Sequence, residues 1–420
     1  MHVADAVARM LFGVSAALCV WVYLGYPALI WVLSRLRARP VRRAQVDPSV
    51  SFLIPVHNEE RVIEAKLQNT LALRYPRERL EVLVLSDGST DRTADIVRRY
   101  ADRDVRLVEL ERGGKLPALN AGAGLARGEI IVFTDANSML APVSLEALVA
   151  GFADPEVGGV CGNQVYRMPS EGDTTKQGEN LYWRYDKWQK GLESRIGSIF
   201  AADGSLYAIR RALYRPVDDP AQADDIAIST RVVLQGYRLV FEPRAVTYED
   251  APAEGRAEFW RKVRVTNRSV RALLNLGRAL WSSGFYSLEL LSHKLLRHLA
   301  PIYLIGLLTA NAWLAVGQPG WRGLAALQAA FYSLAFAGWS LRARRLGARR
   351  LFTIPYFFTF ANAAALLGLI SLLRGQRLAL WRPRAGAEPG AGSSSSRASP
   401  LAEARHANAH RFRPDPRSKS

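Results

Sequence analysis

Cysteine is nearly missing from this chain: there are two in 420 residues, Cys19 and Cys161. They cannot build a disulfide framework and neither sits among metal-ligating residues, so a disulfide-stapled scaffold and a structural zinc site are excluded. The chain also contains no G-x-G-x-x-G and no G-x-x-x-x-G-K-[ST], which leaves a dinucleotide-binding turn and a P-loop without support. Acids are in deficit, 38 Asp and Glu against 56 Lys and Arg, for a formal charge of +18. With 49% hydrophobic residues the chain is neither disordered nor fibrous. Its length suits one large domain with extra segments, or two modest ones.

The basic excess is confined. Residues 35–43 (RLRARPVRR) carry five Arg and no acid, 342–350 (RARRLGARR) carry five more, and 374–420 carry +7, whereas 44–321 is neutral. A nucleic-acid binder would place that charge on its folded body, so no nucleic-acid partner is expected. Basic clusters beside hydrophobic runs instead follow the positive-inside rule for cytoplasmic loops.

The uncharged run 10–34 is long enough to cross a bilayer and too long for a signal-peptide core, so it reads as an uncleaved anchor running from outside to cytoplasm. Runs 299–317 and 323–341, joined by GQPGWR, read as a hairpin that starts and ends inside. Run 351–373 either spans, leaving the tail outside against the charge rule, or is tilted or re-entrant, with Pro355 permitting a break. Residues 281–298 mix Trp281, Phe285 and Tyr286 with His293, Lys294, Arg297 and His298, which suits an interfacial helix with its cations outward, or else a helix packed under the domain. The plan is therefore a short N-terminus (1–9), a membrane helix (10–34), a cytoplasmic domain (35–280), the interfacial helix and three late apolar segments. A basic tail (374–420) follows, disordered in its Ser- and Arg-rich part. This describes a multi-pass protein of the cell inner (plasma) membrane.

Within 44–280, apolar runs alternate with helical patterns. VSFLIPV (50–56), LEVLVL (80–85), VRLVEL (105–110) and EIIVFT (129–134) read as strands. The intervening segments, among them KLPALNAGAGLA, read as helices, which gives an α/β, doubly wound, mostly parallel sheet. Ligands bind such sheets beyond the carboxyl ends of the strands. Those ends deliver Glu59 (after Pro55, His57 and Asn58), Asp87, and Asp135 with Asn137. Carboxylates gathered on one edge repel unless a cation or a donor-rich ligand neutralises them, and oxygen ligands of this kind suit Mg²⁺ or Mn²⁺ beside a phosphate. Taken singly, Asp87 and Asp91 would pass as turn or helix caps. Gly113-Gly114-Lys115 offers a flexible loop and a cation. Tyr182, Trp183, Tyr185 and Trp188 line a helix over 178–194, suited either to stacking on sugars or to seating the domain on neighbouring helices or lipid. Asp224-Asp225 opens another helix, where adjacent acids serve either as caps or as a base.

The order of these motifs resembles that of family 2 inverting glycosyltransferases, the GT-A group that includes cellulose, hyaluronan and poly-N-acetylglucosamine synthases. The resemblance covers about 44–270. It implies that IPVHNEE (Pro55, Asn58, Glu59) opens a nucleotide site and that Asp87 of SDGSTD holds the uracil or ribose. It implies that Asp135 contacts the nucleotide and shares a metal with Asn137, the second position of the family's D-x-D. GGKLPALN would make Lys115 a donor contact, ADGSLYAIRR would place Gly204 and Ser205 on the acceptor side, and ADDIAIS would make Asp225 the base. The family's Q-x-x-R-W appears as Arg261-Lys262-Val263-Arg264-Val265, so Arg261 and Arg264 become candidates for the diphosphate. The lost Trp argues against processive synthesis, and the Asn in D-x-D weakens the metal site.

The function so implied is transfer of a sugar from a nucleotide-sugar donor, with Mg²⁺ or Mn²⁺, to a glycan or lipid-linked acceptor, forming a β-linkage. The rivals are transfer to a polyprenyl phosphate, whose anionic acceptor needs Asp225 less, and a non-catalytic nucleotide-sugar-binding or export subunit. An export or synthase partner subunit fits either the main reading or the last.

Overall fold

The computed structural model describes residues 2–167, 174–250, 255–342, 344, 346, 347 and 349–378. Most of the basic tail, and the side chain of Tyr182, lie outside them. The α/β part is built on one eight-stranded sheet: β1 (Val50–Val56), β2 (Leu80–Asp87), β3 (Val105–Leu110), β4 (Ile130–Thr134), β5 (Met139–Leu140), β6 (Val157–Arg167), β7 (Leu206–Arg210) and β8 (Arg238–Asp250). The spatial order is β3-β2-β1-β4-β7-β6-β8-β5. The first four strands are parallel, as their strand–helix alternation predicts. The sheet then becomes mixed, because β7 runs antiparallel to both β4 and β6, and β5 antiparallel to β8.

Strand side chains alternate between two cores. Leu53, Leu83, Leu85, Ile131 and Phe133 face one side, with Leu116 and Leu119 of the helix Lys115–Leu125 and Ile226 of the helix Asp224–Leu234. Phe52, Ile54, Val82, Val84 and Val132 face the other, with Ile63 and Leu67 of Ile63–Leu71 and Ile96 and Val97 of Thr93–Arg98. Burial on both faces is why these strands read as unbroken apolar runs. Adjacent parallel strands then present their carboxyl ends together.

The N-terminal helical segment runs over Val3–Leu36, longer than the uncharged run. A π-turn at Trp21–Gly25 interrupts it just before Pro27. Proline has no N–H for the carbonyl four residues back, that of Tyr23. The Tyr185 hydroxyl, on the helix Thr174–Ile196, donates to that carbonyl instead at 3.0 Å. Of the two readings of this aromatic helix, Tyr185 therefore takes the seating role, with Arg297 over its ring.

Among the described residues three helices are long and apolar enough to cross a membrane: Val3–Leu36, Ala300–Gly317 and Arg350–Leu373. The segment read as a span over 323–341 does form a helix, Arg322–Ser340, but Arg322, Gln328 and its small residues dilute it below that level. Its Gln328 Oε1 accepts from Asn311 Nδ2 at 2.6 Å, tying it to Ala300–Gly317. Arg350–Leu373 continues through Pro355 without a break. Its far half packs on the helix Arg256–Leu274: a Cβ on Gly368 would lie 2.8 Å from the Val263 carbonyl, and Asn267 Nδ2 donates to Ser371 Oγ at 2.8 Å.

The outward-cation reading of 281–298 fails at His293, which is fully buried between two carboxylates, while Trp281 is 68% exposed. Only the start of that segment presents aromatics outward, and the rest packs under the domain as the other reading allowed.

Just before β4, a Cβ on Gly128 would lie 2.5 Å from the Ser51 backbone nitrogen and 2.7 Å from the Val50 carbonyl carbon. Backbone cannot yield as a side chain does. Gly128→Ala is therefore expected to destabilise the domain by about 1–3 kcal/mol, read as a fall in thermal midpoint, whereas Gly124→Ala, with open space around it, should leave the midpoint unchanged or raised.

Candidate functional site

The carboxyl ends of β1, β2 and β4 bring the expected residues to one crevice. Asn58, two residues beyond β1, takes a left-handed conformation (φ 54°) and its Oδ1 accepts the Thr90 N–H at 2.8 Å. The Glu59 N–H donates to Thr93 Oγ1 at 2.9 Å. These bonds clamp the HNEE turn onto SDGSTD, and Pro55 lies beneath it, in register with Leu85. Asp91 behaves as a cap: its Oδ1 accepts the Thr93 N–H at 3.0 Å.

Asp87 does not cap its own turn. Its buried carboxylate accepts the N–H groups of Gly113 (2.7 Å) and Gly114 (3.0 Å) and pairs with Arg112. Gly114, at φ 101°, adopts a conformation that a side chain would resist. Asp87 thus shapes the loop that presents Lys115, so a residue singled out for the nucleotide also places this lysine.

Lys115 Nζ lies 2.7 Å from Asp135 and 2.8 Å from Asp224. Burial alone would weaken its charge, but the two carboxylates outweigh that and hold its pKa above the usual lysine range. Arg268 stands 3.8 Å from Asp224. Burial works against ionisation of Asp224, yet Lys115 and Arg268 keep its pKa below normal. Asp225, next to it at the helix N-terminus, forms no ion pair among the described residues. Burial, and then the charge of Asp224, push its pKa up to about 6. Its Oδ1 accepts the Ile226 N–H at 2.8 Å, and its Oδ2 is 3.7 Å from the position a Cβ on Gly204 would take, itself 3.6 Å from Lys115 Nζ. Opposed pKa values on adjacent carboxylates are the usual sign of divided acid–base roles.

Two buried hydroxyls at this crevice, Ser205 Oγ and Tyr207 Oη, have no hydrogen-bond partner among the described residues. Tyr207 stacks on Phe133 at 4.5 Å and feels the charges of Asp224, Asp225 and Asp135. An orphaned buried hydroxyl costs about 1–3 kcal/mol, which a polar ligand or water would relieve.

The described residues hold no group of three His, Cys, Asp or Glu fit for a metal. Asp135 and the half-buried Asn137 supply one charged and one neutral oxygen, a set that fits a hard cation completed by phosphate and water.

Sequence reasoning missed Lys66. It is fully buried beneath the Asp135 loop, donating to Thr134 Oγ1 at 2.9 Å and to the Ser138 carbonyl. Burial draws its pKa down to about 7, against the pull of Asp135 and Glu249. The available signal was a lysine on the apolar face shared by Ile63, Leu67 and Thr70. Arg268 was missed as well. Arg261, which was singled out, pairs with the buried Glu258 at 2.6 Å on its own helix rather than with the crevice carboxylates.

This mixed sheet with carboxylates gathered at its parallel end is an α/β domain of the GT-A type, accompanied by apolar helices long enough to cross a membrane. Residues 51–217 match the family model described as Glycosyl transferase family 2. The probable glycosyltransferase YdaM of Bacillus subtilis is 31% identical over 225 residues, 51% of this chain and 53% of that protein. A poly-beta-1,6-N-acetyl-D-glucosamine synthase of Staphylococcus aureus is 28% identical over 210 residues, 48% of this chain and 50% of its own. The chain spans about half the length of these curated relatives. Among solved structures, a mannosyltransferase from Pyrobaculum calidifontis in complex with GDP-Man and Mn²⁺ aligns over 87% of this chain and 99% of its own, at 28% identity and TM-score 0.68.

The two adjacent aspartates should respond oppositely to neutralisation. The pKa of Asp225 is raised in the folded state, so the folded chain binds that proton more tightly. Its contribution to stability is therefore greatest at low pH and lost as pH rises toward about 6. Asp225→Asn should raise the thermal midpoint at pH 7.5, by roughly 2–4 °C per kcal/mol relieved, and raise it less at acid pH. Asp224→Asn should lower the midpoint, with a loss of stability on the order of 3 kcal/mol, because Lys115 and Arg268 lose a buried partner.

Proposed function

We propose that this chain is a membrane-bound inverting glycosyltransferase that moves a sugar from a nucleotide-sugar donor to a hydroxyl of a glycan or lipid-linked acceptor. The observation that carries the proposal is the division of the Asp224-Asp225 pair: one carboxylate is consumed in holding Lys115, and the other is kept basic beside Gly204. Asp225 accepts the proton of the acceptor hydroxyl as its oxygen attacks the anomeric carbon, help typically worth about 10²–10⁴-fold. The bond to the nucleoside diphosphate breaks as the new bond forms, so one displacement converts an α-linked donor into a β-linked product.

Lys115, with Arg268 behind it, offers positive charge to the departing diphosphate. Asp135 and Asn137 would hold Mg²⁺ or Mn²⁺, and when bound that cation adds charge for the same leaving group. Asn58, Glu59 and Asp87, with Pro55 beneath, line the nucleotide side, and Gly204 and Ser205 the acceptor side. Arg261, by leaving Glu258, and Arg264 would add charge for the diphosphate. The basic stretches 35–43 and 342–350 support a cytoplasmic domain in a multi-pass inner-membrane protein. A donor made in the cytoplasm then reaches the crevice directly.

The test is nucleoside diphosphate release by detergent-solubilised protein with Mn²⁺ or Mg²⁺, a panel of UDP- and GDP-sugars, and lipid extract. Release from one donor, reduced at least about 10²-fold in Asp225→Asn, is the expected result. Equal release in both proteins would remove Asp225 as base and favour a phosphate acceptor, and no release from any donor would favour a binding or export role. The acid limb of the wild-type rate should fall below about pH 6, where Asp225 takes up its proton.

A further inference from the structure

The helix Thr174–Ile196 carries buried charges that the proposed reaction does not use. Asp186, Lys190 and Glu193 fall on one helical face, and all three are buried. Lys190 Nζ is 2.5 Å from Asp203 Oδ1 and 3.4 Å from Asp186 Oδ2. His293 bridges the same face, with Nδ1 2.6 Å from Glu193 Oε1 and Nε2 3.1 Å from Asp186 Oδ1. The Tyr26 hydroxyl of the N-terminal helix donates to Glu193 Oε1 at 2.5 Å. Apolar residues of similar volume would fill this space without the desolvation that buried charges suffer, so mere stability is a poor reason for the network.

Its inner end explains it better. At that end the network reaches the segment 199–205. Glu193 Oε2 accepts the Phe200 N–H at 3.3 Å, and the Tyr286 hydroxyl donates to the Phe200 carbonyl at 2.7 Å. The Asp203 N–H donates to Cys161 Sγ at 3.3 Å while its carboxylate holds Lys190. From the other side, the Ala202 N–H donates to Ser229 Oγ, whose own hydrogen goes to the Asp225 carbonyl at 2.6 Å. The residue after Asp203 is Gly204, which faces both Asp225 and Lys115.

We propose that Lys190 is a positioning residue for the acceptor side of the transfer: by anchoring Asp203 it fixes the Gly204–Ser205 backbone at the distance from Asp225 that admits one acceptor hydroxyl. Asp186 pairs with Lys190, His293 ties Asp186 to Glu193, and through Tyr26 the N-terminal membrane helix becomes part of the same mount. This rests on the glycosyl-transfer reading above, and deepens it by assigning a role to a residue that touches no substrate.

The test compares the full-length wild type with Lys190→Met and with the milder Asp203→Asn, which keeps both shape and an acceptor oxygen. In each variant kcat should fall, by about 10²-fold in Lys190→Met, the scale of a misplacement of about 1 Å. Affinity for UDP or GDP with Mn²⁺, measured by calorimetry, should stay within about twofold, since the anchor lies away from the nucleotide. The double variant should be no worse than Lys190→Met, as two halves of one interaction behave. Hydrogen exchange of the ligand-free protein should speed up at 199–205 and stay unchanged in the helix Lys115–Leu125. Equal losses in kcat and nucleotide affinity, or unchanged exchange at 199–205, would overturn the proposal. Exchange is read without substrate, so it decides the anchor even if the wild type transfers no sugar, an outcome that would sink the parent reading alone.

Discussion

The site depends on one buried ammonium. Lys115 Nζ lies within 2.8 Å of both Asp135, just after β4, and Asp224, from a helix more distant in sequence. Without it the crevice would gather three carboxylates, of which only Asp224 pairs with another cation among the described residues, Arg268 at 3.8 Å. With it, Asp224 is committed, and burial together with the Asp224 charge keeps Asp225 basic against the pull of Lys294 and Lys115. The lysine is in turn delivered by Asp87, whose carboxylate holds the two glycine N–H groups before it. Four segments far apart in sequence therefore meet in one electrostatic chain, and the chain ends at a carboxylate suited to taking a proton near neutral pH.

Much of this was legible in the sequence because it follows from short-range rules. Unbroken apolar runs mark strands buried on both faces, and in a parallel sheet whatever follows such a strand lies at its carboxyl end. That reasoning places Glu59, Asp87, Asp135 and Asn137 together without knowledge of contacts. The opposed pair Asp224-Asp225 could be located but not divided, since which of the two meets Lys115 depends on the helix phase and on a loop over a hundred residues away. Lys66 and Arg268 escaped for a related reason: each looks like an ordinary surface cation in sequence, and only packing turns it inward. The short strand LYAIR, β7, is legible in the sequence but its antiparallel direction is not, because a five-residue strand between loops carries no signal of its direction.

The membrane-facing part shows local chemistry joined to tertiary structure. Pro27 leaves the Tyr23 carbonyl without its helical donor, and Tyr185 of the soluble domain supplies one. Tyr26, its neighbour, reaches Glu193, so one helical turn makes two polar contacts to the helix that is bonded to the segment 199–205. At the other end of the chain, Arg350–Leu373 settles its small residues against Arg256–Leu274, with Leu369 entering the domain's own core. The apolar helices and the GT-A domain consequently form one compact unit rather than a domain on a tether.

The most direct test of the account is a ligand-bound structure of the full chain with UDP or GDP and Mn²⁺, read at Lys115 Nζ. The account predicts that Nζ turns from Asp135 to a diphosphate oxygen while Asp224 keeps its contact and Asp225 stays free of any cation beside Gly204. A nucleotide bound away from this crevice, or a Lys115 that leaves Asp224 to pair with Asp225, would contradict it.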